Sequence, residues 1–156
     1  MKKDILLILC DVRSVHNVGS IFRTADCAGV KKIYVAGYTP APIDRFGRKR
    51  KDFAKVSLGA EESVEWESVS NTAALIQKLK KEGVHIIAVE QDKNSVDYKK
   101  VKLTGPTAIV YGNEVGGVPQ EILKLCDMIA EIPMQGAKES LNVSVSVGVT
   151  LFRFLE

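Results

Sequence analysis

Apolar runs alternate with segments of helical periodicity along most of the chain. Five runs indicate buried strands, over residues 4–12, 32–38, 84–90, 107–111 and 128–133. Between them, apolar or small side chains recur at helical spacing from Asn17 to a stop at Gly29, and from Asn71 to a stop at Gly83. Pro119 suits the first turn of a further short helix. This alternation predicts an α/β domain with a largely parallel sheet and helices on both faces.

Residues 132–156 fit two different structures. Valine occupies every second position from 143 to 149, a period of two that indicates a half-buried strand. A helix also fits, because helical spacing places four apolar residues on one face: Val143, Val147, Leu151 and Phe154. Ser140 or Asn142 is able to cap such a helix. The residues alone leave both structures open.

Residues 39–70 show no clear period, and we expect them to form the main loop region. They include a basic segment, residues 44–55, with six cationic and two acidic side chains. Its net charge of +4 exceeds the +3 of the whole chain, so the other residues are slightly acidic together. A local concentration of positive charge suits a phosphate-bearing partner, although it is also common on an ordinary solvated surface.

Composition narrows the class of protein. With 156 residues, 46% hydrophobic and 26% charged, the chain is expected to form one domain, and it has no apolar run long enough for a membrane span. The first twelve residues are interrupted by Asp4 and Asp11 and predict a strand instead of a signal peptide. Three separated cysteines and two histidines predict neither disulfides nor a metal site. We therefore expect a cytoplasmic protein with no membrane partner and no metal.

Three glycine-rich polar loops follow predicted strands, where ligands of parallel sheets bind. None matches the GxGxxG dinucleotide fingerprint or the GxxxxGK[ST] phosphate loop. The chain also lacks the GxSxG elbow of the α/β-hydrolases. These absences disfavour a nucleotide-phosphate enzyme and the usual hydrolases.

The same three loops carry a resemblance to a known family. HNVGSIFRTADCAGV, IVYGNEVGGVP and IPMQGAKESLNVSVSVGV resemble, in order and spacing, the three motifs of the SpoU (TrmH-like) RNA 2′-O-ribose methyltransferases of the SPOUT superfamily. The resemblance spans the chain and implies an S-adenosylmethionine-dependent enzyme, a deep trefoil knot at the carboxyl end and an obligate homodimer. It also implies a helix over 141–155. It implies a catalytic domain over 1–156 with no separate RNA-binding domain.

The resemblance also implies which residues form the site. The cofactor is expected to contact seven residues after the fourth strand and in the two later motifs: Val89, Glu90, Gly112, Ile132, Met134, Ser140 and Leu141. Arg23 matches the catalytic arginine, which the family contributes to the cofactor site of the partner subunit. From the residues alone, Arg23 and Asp26 would form an ordinary surface ion pair. A guanidinium is always charged, so we expect it to hold a phosphate and stabilise charge on the ribose oxygen, not to act as a base.

Four further residues are expected in the catalytic site: Asn17, Glu114, Ser140 and Asn142. By their chemistry alone, three of these are possible helix caps and Glu114 is a possible solvated carboxylate.

Five cations of the basic segment are expected to bind RNA: Arg45, Arg48, Lys49, Arg50 and Lys51. The expected substrate is structured RNA, with tRNA mildly preferred over rRNA. The alternative is a catalytically silent RNA-binding protein that retains the fold.

Overall fold

A seven-stranded sheet forms the centre of the protein. The structure is a computed structural model and describes residues 4–156. The strands are β1 (Ile5–Cys10), β2 (Lys32–Ala36), β3 (Glu65–Val69), β4 (His85–Val89), β5 (Val96–Asp97), β6 (Thr107–Tyr111) and β7 (Met128–Glu131). They pair in the order β3-β2-β1-β6-β4-β7-β5, and every pair is parallel. The predicted parallel α/β sheet is confirmed.

Helices cover both faces of this sheet. They are α1 (Val15–Ala28), α2 (Lys51–Ser57), α3 (Ala60–Ser63), α4 (Thr72–Lys81), α5 (Gln120–Leu123) and α6 (Val143–Leu155). One apolar core lies between the sheet and the helices α1, α2 and α6, and a second lies under α4 and α5. Between residues 4 and 156, no helix is both long and apolar enough to cross a membrane.

The expectation of a loop over residues 39–70 is wrong for its second half. This stretch contains α2, α3 and the edge strand β3. Phe53 anchors α2, since it is fully buried and its ring meets Phe22 of α1 edge-on, with 5.0 Å between centroids. Because so few side chains of α2 are buried, its sequence shows no helical repeat of apolar residues. Strand β3 has a neighbour on one side only, so its exposed glutamates mask the alternation.

The first helix begins earlier than the apolar stripe predicts. Ser14 is the N-cap of α1, and its side chain accepts a hydrogen bond from the backbone N–H of Asn17. The assignment of Asn17 as a possible cap is therefore wrong, because Asn17 lies within the first turn. Its side chain is free for a contact with a distant segment.

The carboxyl-terminal tail forms the helix α6, not a strand. Asn142 is its N-cap, and its side-chain oxygen accepts from the backbone N–H of Ser144 at 2.8 Å. Val147, Leu151 and Phe154 of the predicted stripe are buried, and Val143 packs against the core. Tertiary burial therefore outweighs the strand propensity of valine. The trefoil knot at this end of the chain stays a prediction.

Candidate active site

A pocket opens where three neighbouring strands end. It lies at the carboxyl ends of β4, β6 and β7 and beside the first turn of α6, and its volume is about 210 Å³. We call it the strand-end pocket. All seven residues predicted to contact the cofactor line it: Val89, Glu90, Gly112, Ile132, Met134, Ser140 and Leu141. The sheet order β6-β4-β7 explains this grouping, because strands far apart in sequence end side by side.

A tight loop after β6 forms one wall of the pocket. The backbones of Asn113 and Gly117 exchange hydrogen bonds of 2.9 and 3.2 Å, which brings the two ends of the 112–118 loop together. Gly112 has no room for a side chain, since a Cβ atom there would lie 2.4 Å from the backbone of Gly117 and Val118. Glycine at 112 is therefore required for this closure.

Glu90 fixes the same loop from the neighbouring strand. Its carboxylate accepts hydrogen bonds of 2.9 Å from the backbone N–H groups of Val118 and Gln91. The bond from Val118 connects the end of β4 to the end of the 112–118 loop, and the bond from Gln91 is local. Glu90 lines the strand-end pocket and holds its wall in place, and each of its oxygens, which accepts one bond, keeps acceptor capacity for a ligand.

Glu114 connects the 112–118 loop to the start of α1. One carboxylate oxygen accepts from the backbone N–H of Arg13 at 2.8 Å, and the other from the N–H of Ser14 at 2.8 Å and Nδ2 of Asn17 at 3.1 Å. Partial burial alone would raise the pKa of Glu114. The hydrogen bonds outweigh it and lower the pKa below the ordinary value for glutamate, so Glu114 is a carboxylate at neutral pH.

Asn142 completes a network that joins all three motifs. Its side-chain Nδ2 donates to Oδ1 of Asn17 at 3.2 Å, while its oxygen caps α6. The side chains of Asn17, Glu114 and Asn142 are therefore linked in one chain of hydrogen bonds. Ser140 lies exposed at the rim of the strand-end pocket, outside this network.

Arg23 does not lie at the strand-end pocket of its own chain. It is exposed on α1 and lines a separate open cleft with Ser20, Lys55 and Phe152. The surface ion pair with Asp26 does not form: within residues 4–156, no carboxylate lies within ion-pair distance of Arg23. The guanidinium is therefore available to a group outside this chain.

The basic segment forms a structured turn followed by the start of α2. Three of its cations are already paired with carboxylates, Arg48 with Asp44 at 3.0 Å, Lys49 with Glu62 at 2.9 Å and Arg50 with Asp52 at 2.8 Å. Arg45 and Lys51 have no acidic partner within residues 4–156. The guanidinium groups of Arg45 and Arg48 lie 4.8 and 5.0 Å from the ring centroid of Phe46, which is exposed. The number of unpaired cations in the basic segment is therefore smaller than the six cationic side chains in its sequence.

Sequence reasoning missed several residues that line the strand-end pocket: Gln91, Tyr111, Asn113, Val115, Val143 and Ser146. Tyr111 is buried, and its hydroxyl shares a 2.7 Å hydrogen bond with Thr150 of α6. Burial raises its pKa, so it stays a neutral phenol. Tyr111, Asn113 and Val115 stand within the IVYGNEVGGVP motif, and Val143 and Ser146 stand within the third motif, which is the signal that could have marked them.

Comparison with known proteins decides the family. The model of the SpoU rRNA Methylase family matches residues 4–152. The chain belongs to the SpoU family. A curated relative from Aquifex aeolicus, tRNA (guanosine(18)-2′-O)-methyltransferase, is 36% identical over 151 residues, covering 97% of this chain and 68% of the relative. The 23S rRNA (guanosine-2′-O-)-methyltransferase RlmB of Ralstonia nicotianae is 39% identical over 152 residues, covering 95% of this chain and 57% of the relative.

Solved structures show the same fold. The A. aeolicus TrmH/SpoU tRNA modifying enzyme has a TM-score of 0.84 and 32% identity, covering 97% of this SpoU chain and 74% of that one. The AdoMet-bound rRNA methyltransferase from Sinorhizobium meliloti has a TM-score of 0.88 and 28% identity, covering 98% of this chain and 56% of that one. The chain thus spans little more than half the length of several relatives that it matches.

Proposed function

We propose that this protein transfers the methyl group of S-adenosylmethionine to a ribose 2′-oxygen of structured RNA. The observation that carries the proposal is the hydrogen-bonded network of Asn17, Glu114 and Asn142, which joins the three motif loops around the strand-end pocket. The A. aeolicus and R. nicotianae relatives are named for 2′-O-methylation of tRNA and 23S rRNA. Both RNAs are therefore the substrates to test, with tRNA first.

The strand-end pocket suits S-adenosylmethionine in its chemistry. Val89, Ile132, Met134 and Leu141 supply apolar walls for an adenine ring, and the loop that starts at Gly112 supplies close backbone groups. The cofactor has no phosphate, which fits a pocket whose sequence lacks a phosphate loop. When bound, S-adenosylmethionine supplies a methyl group on a sulfonium cation. The residues that line the pocket would hold the cofactor and orient its methyl group towards the incoming hydroxyl.

Arg23 is proposed to act on the pocket of a second copy. A guanidinium placed beside the target nucleotide binds its phosphate and stabilises negative charge as the 2′-hydroxyl loses its proton. Within one chain Arg23 stands outside the strand-end pocket and has no acidic partner among residues 4–156. Both facts support a role across a dimer interface.

The outer face of α6 supports the homodimer. Val145, Val149 and Phe152 form this face and are 48%, 37% and 48% exposed. Their spacing of four and three residues places them on one side of the helix. Phe152 also lines the Arg23 cleft, so a second copy seated on this face would meet Arg23. The pocket volume of about 210 Å³ is small for a ligand site, as expected if a second copy supplies a further wall around the ligand.

A mixed dimer tests the role of Arg23. One subunit carries R23A, and the other carries I132W, which fills the pocket. The two are co-expressed with different affinity tags so that the mixed dimer is isolated. If Arg23 acts across the interface, one of the two sites keeps both an intact pocket and an intact arginine, and methyl transfer to tRNA is about half that of wild type. An inactive mixed dimer would show that Arg23 acts within its own chain.

The catalytically silent alternative is tested by two simple measurements. Calorimetry measures S-adenosylmethionine binding, and transfer of a radiolabelled methyl group to in vitro transcribed tRNA and 23S rRNA measures activity. The R23A homodimer should bind the cofactor nearly as wild type does and transfer no methyl group. Wild-type protein that binds RNA but neither binds the cofactor nor transfers the methyl group would favour the silent homologue.

The basic segment is proposed to contact RNA phosphates through its unpaired cations. Each phosphate contact contributes about 0.7–0.9 to the slope of log affinity against log salt. R45Q/K51Q should therefore reduce this slope by about 1.4–1.8. The matched control K49Q/R50Q removes the same formal charge from cations already paired with acids, and it should change the slope less. Equal slopes for wild type and R45Q/K51Q would remove the segment from the RNA surface.

The three cysteines support a cytoplasmic location as part of the proposal. Cys10, Cys27 and Cys126 are all free thiols in the fold, and Cys10 is buried. Free thiols persist in a reducing compartment.

A further inference from the structure

A second, shallow cleft adjoins the strand-end pocket on the side of β1 and β2. Six residues line it: Arg13, Ser14, Tyr38, Asn113, Glu114 and Val115. The last three also line the strand-end pocket, so the two cavities share the 112–118 loop as a common wall. We call this second cavity the Tyr38 cleft. Neither the motif match nor the proposed cofactor chemistry assigns it a ligand.

Tyr38 presents an aromatic ring to solvent in a fixed position. Its side chain is 62% exposed, yet it is held at both ends. The backbone N–H donates to Oδ1 of Asp11 at 3.0 Å, and the phenol oxygen accepts from Nδ2 of Asn113 at 3.0 Å. An exposed aromatic ring that needs no reordering loses little entropy on binding a flat ligand.

The backbone beneath Tyr38 is in an unusual conformation. Asp11 has a φ angle of 56°, in the left-handed region that aspartate adopts only occasionally. The neighbouring Gly37 has a φ of 65°, and a Cβ atom there would lie 1.9 Å from Oδ1 of Asp11. This arrangement brings the Asp11 carboxylate close enough to bind the N–H of Tyr38. The fold therefore positions Tyr38 at some conformational cost.

We propose that the Tyr38 cleft binds an unpaired RNA base, that of the nucleotide whose ribose enters the strand-end pocket, by stacking on the Tyr38 ring. This inference rests on the proposed function. Base and ribose of one nucleotide are adjacent groups, as are the two cavities that share the 112–118 loop. Val115, which is 95% exposed, adds a second apolar contact at the cleft, and the exposed Arg13 supplies charge for a phosphate.

The Asn113 amide is not available to read the edge of the base. Both groups of the Asn113 amide are already used: Nδ2 donates to Tyr38 and to the backbone oxygen of Asp11, and Oδ1 accepts from the N–H groups of Val115 and Gly116. Stacking on an aromatic ring tolerates every base. The base must leave its helix to reach the ring, so the target nucleotide is unpaired or flipped out.

Two substitutions of Tyr38 distinguish stacking of a base on its ring from the hydrogen bond between its hydroxyl and Asn113. Y38A removes the ring and should lower kcat/KM for in vitro transcribed tRNA or 23S rRNA about 5- to 150-fold, the range expected for one stacked base. Y38F keeps the ring and loses the bond to Asn113, so it should stay within about twofold of wild type. S-adenosylmethionine affinity, measured by calorimetry, should be unchanged in both variants.

Three results would overturn the inference. Y38A with wild-type kcat/KM excludes stacking while leaving the proposed function intact. Y38F as impaired as Y38A, with unquenched emission from Y38W in the presence of tRNA, shows that Tyr38 acts through its bond to Asn113 and not by stacking. A wild-type protein without methyl transfer refutes the proposed function itself, and with it this inference.

A direct probe covers the case in which Y38A is unstable. Y38W adds a fluorophore in the cleft, and wild-type protein with its single Trp66 gives the background emission. Binding of in vitro transcribed tRNA should quench the added emission. Unquenched emission at saturating tRNA would overturn the inference.

Discussion

Replacing Glu114 with glutamine tests the network that joins the motif loops. Both carboxylate oxygens accept hydrogen bonds, one from Arg13 and the other from Ser14 and Asn17. Glutamine has nearly the same shape, but one of its two terminal groups is a donor. In either orientation its NH₂ group faces an N–H donor, so E114Q loses at least one bond and the charge that strengthens the others.

The size of the effect follows from the strength of such bonds. A hydrogen bond to a charged group contributes about 1.5–3 kcal/mol. Because Glu114 is partly exposed, water replaces some of the hydrogen bonds that E114Q loses. We therefore expect E114Q to lower the free energy of unfolding by about 1–2 kcal/mol. For a chain of this length that lowers Tm by about 2–8 °C.

Thermal unfolding followed by circular dichroism at pH 7 measures this change. E121Q, an isosteric change of an exposed glutamate on α5, is the matched control and should shift Tm by less than about 1 °C. Methyl transfer should fall further in E114Q than stability alone explains, because Asn17 loses a partner and the three loops are less ordered. A Tm for E114Q equal to that of wild type would refute the reasoning.

Three further results are expected. Because the folded state lowers the pKa of Glu114, its contribution to the free energy of unfolding is complete above the ordinary glutamate pKa and is lost as the pH falls through the lowered folded-state pKa. In urea unfolding, the difference between wild type and E114Q should therefore be largest at pH 7 and should shrink steadily in an acid series below the ordinary glutamate pKa. G112A must displace the backbone of Gly117, and calorimetry should show S-adenosylmethionine affinity reduced at least about tenfold, since the pocket wall moves. V149D buries a charge in the proposed dimer interface, so sedimentation should show a monomer while circular dichroism shows wild-type helix content. A V149D protein that is still a dimer would contradict this interface.

The order of strands and helices was predictable, and the reason is burial. Strands β1, β4 and β6 are covered on both faces, so they are continuous apolar runs that the sequence displays directly. The edge strand β3 and the short helix α2 escape prediction because few of their side chains face the core. Where burial is slight, the hydrophobic pattern is too weak to define an element.

The residues that form the site were partly predictable from the sequence, but the hydrogen bonds between them were not. The motifs named Asn17, Glu114 and Asn142, yet the bonds between them join residues 97 and 125 positions apart. Such contacts depend on which strands end side by side, which no local pattern encodes. Tyr38 escaped notice for a related reason, since a tyrosine at the end of a predicted strand is recognised as a site residue only when Asp11 and Asn113 are seen to hold it.

The valines of α6 explain why the tail fitted both a strand and a helix. On a helix, residues two apart are separated by about 200°, so alternate valines fall on nearly opposite faces. Val143 and Val147 face the core, whereas Val145 and Val149 face outward with Phe152. A helix with two apolar faces satisfies an alternating pattern as well as a strand does, provided that something covers the outer face. The proposed second copy of the chain does this, and the same contact would carry Arg23 towards the pocket that it does not reach within its own subunit.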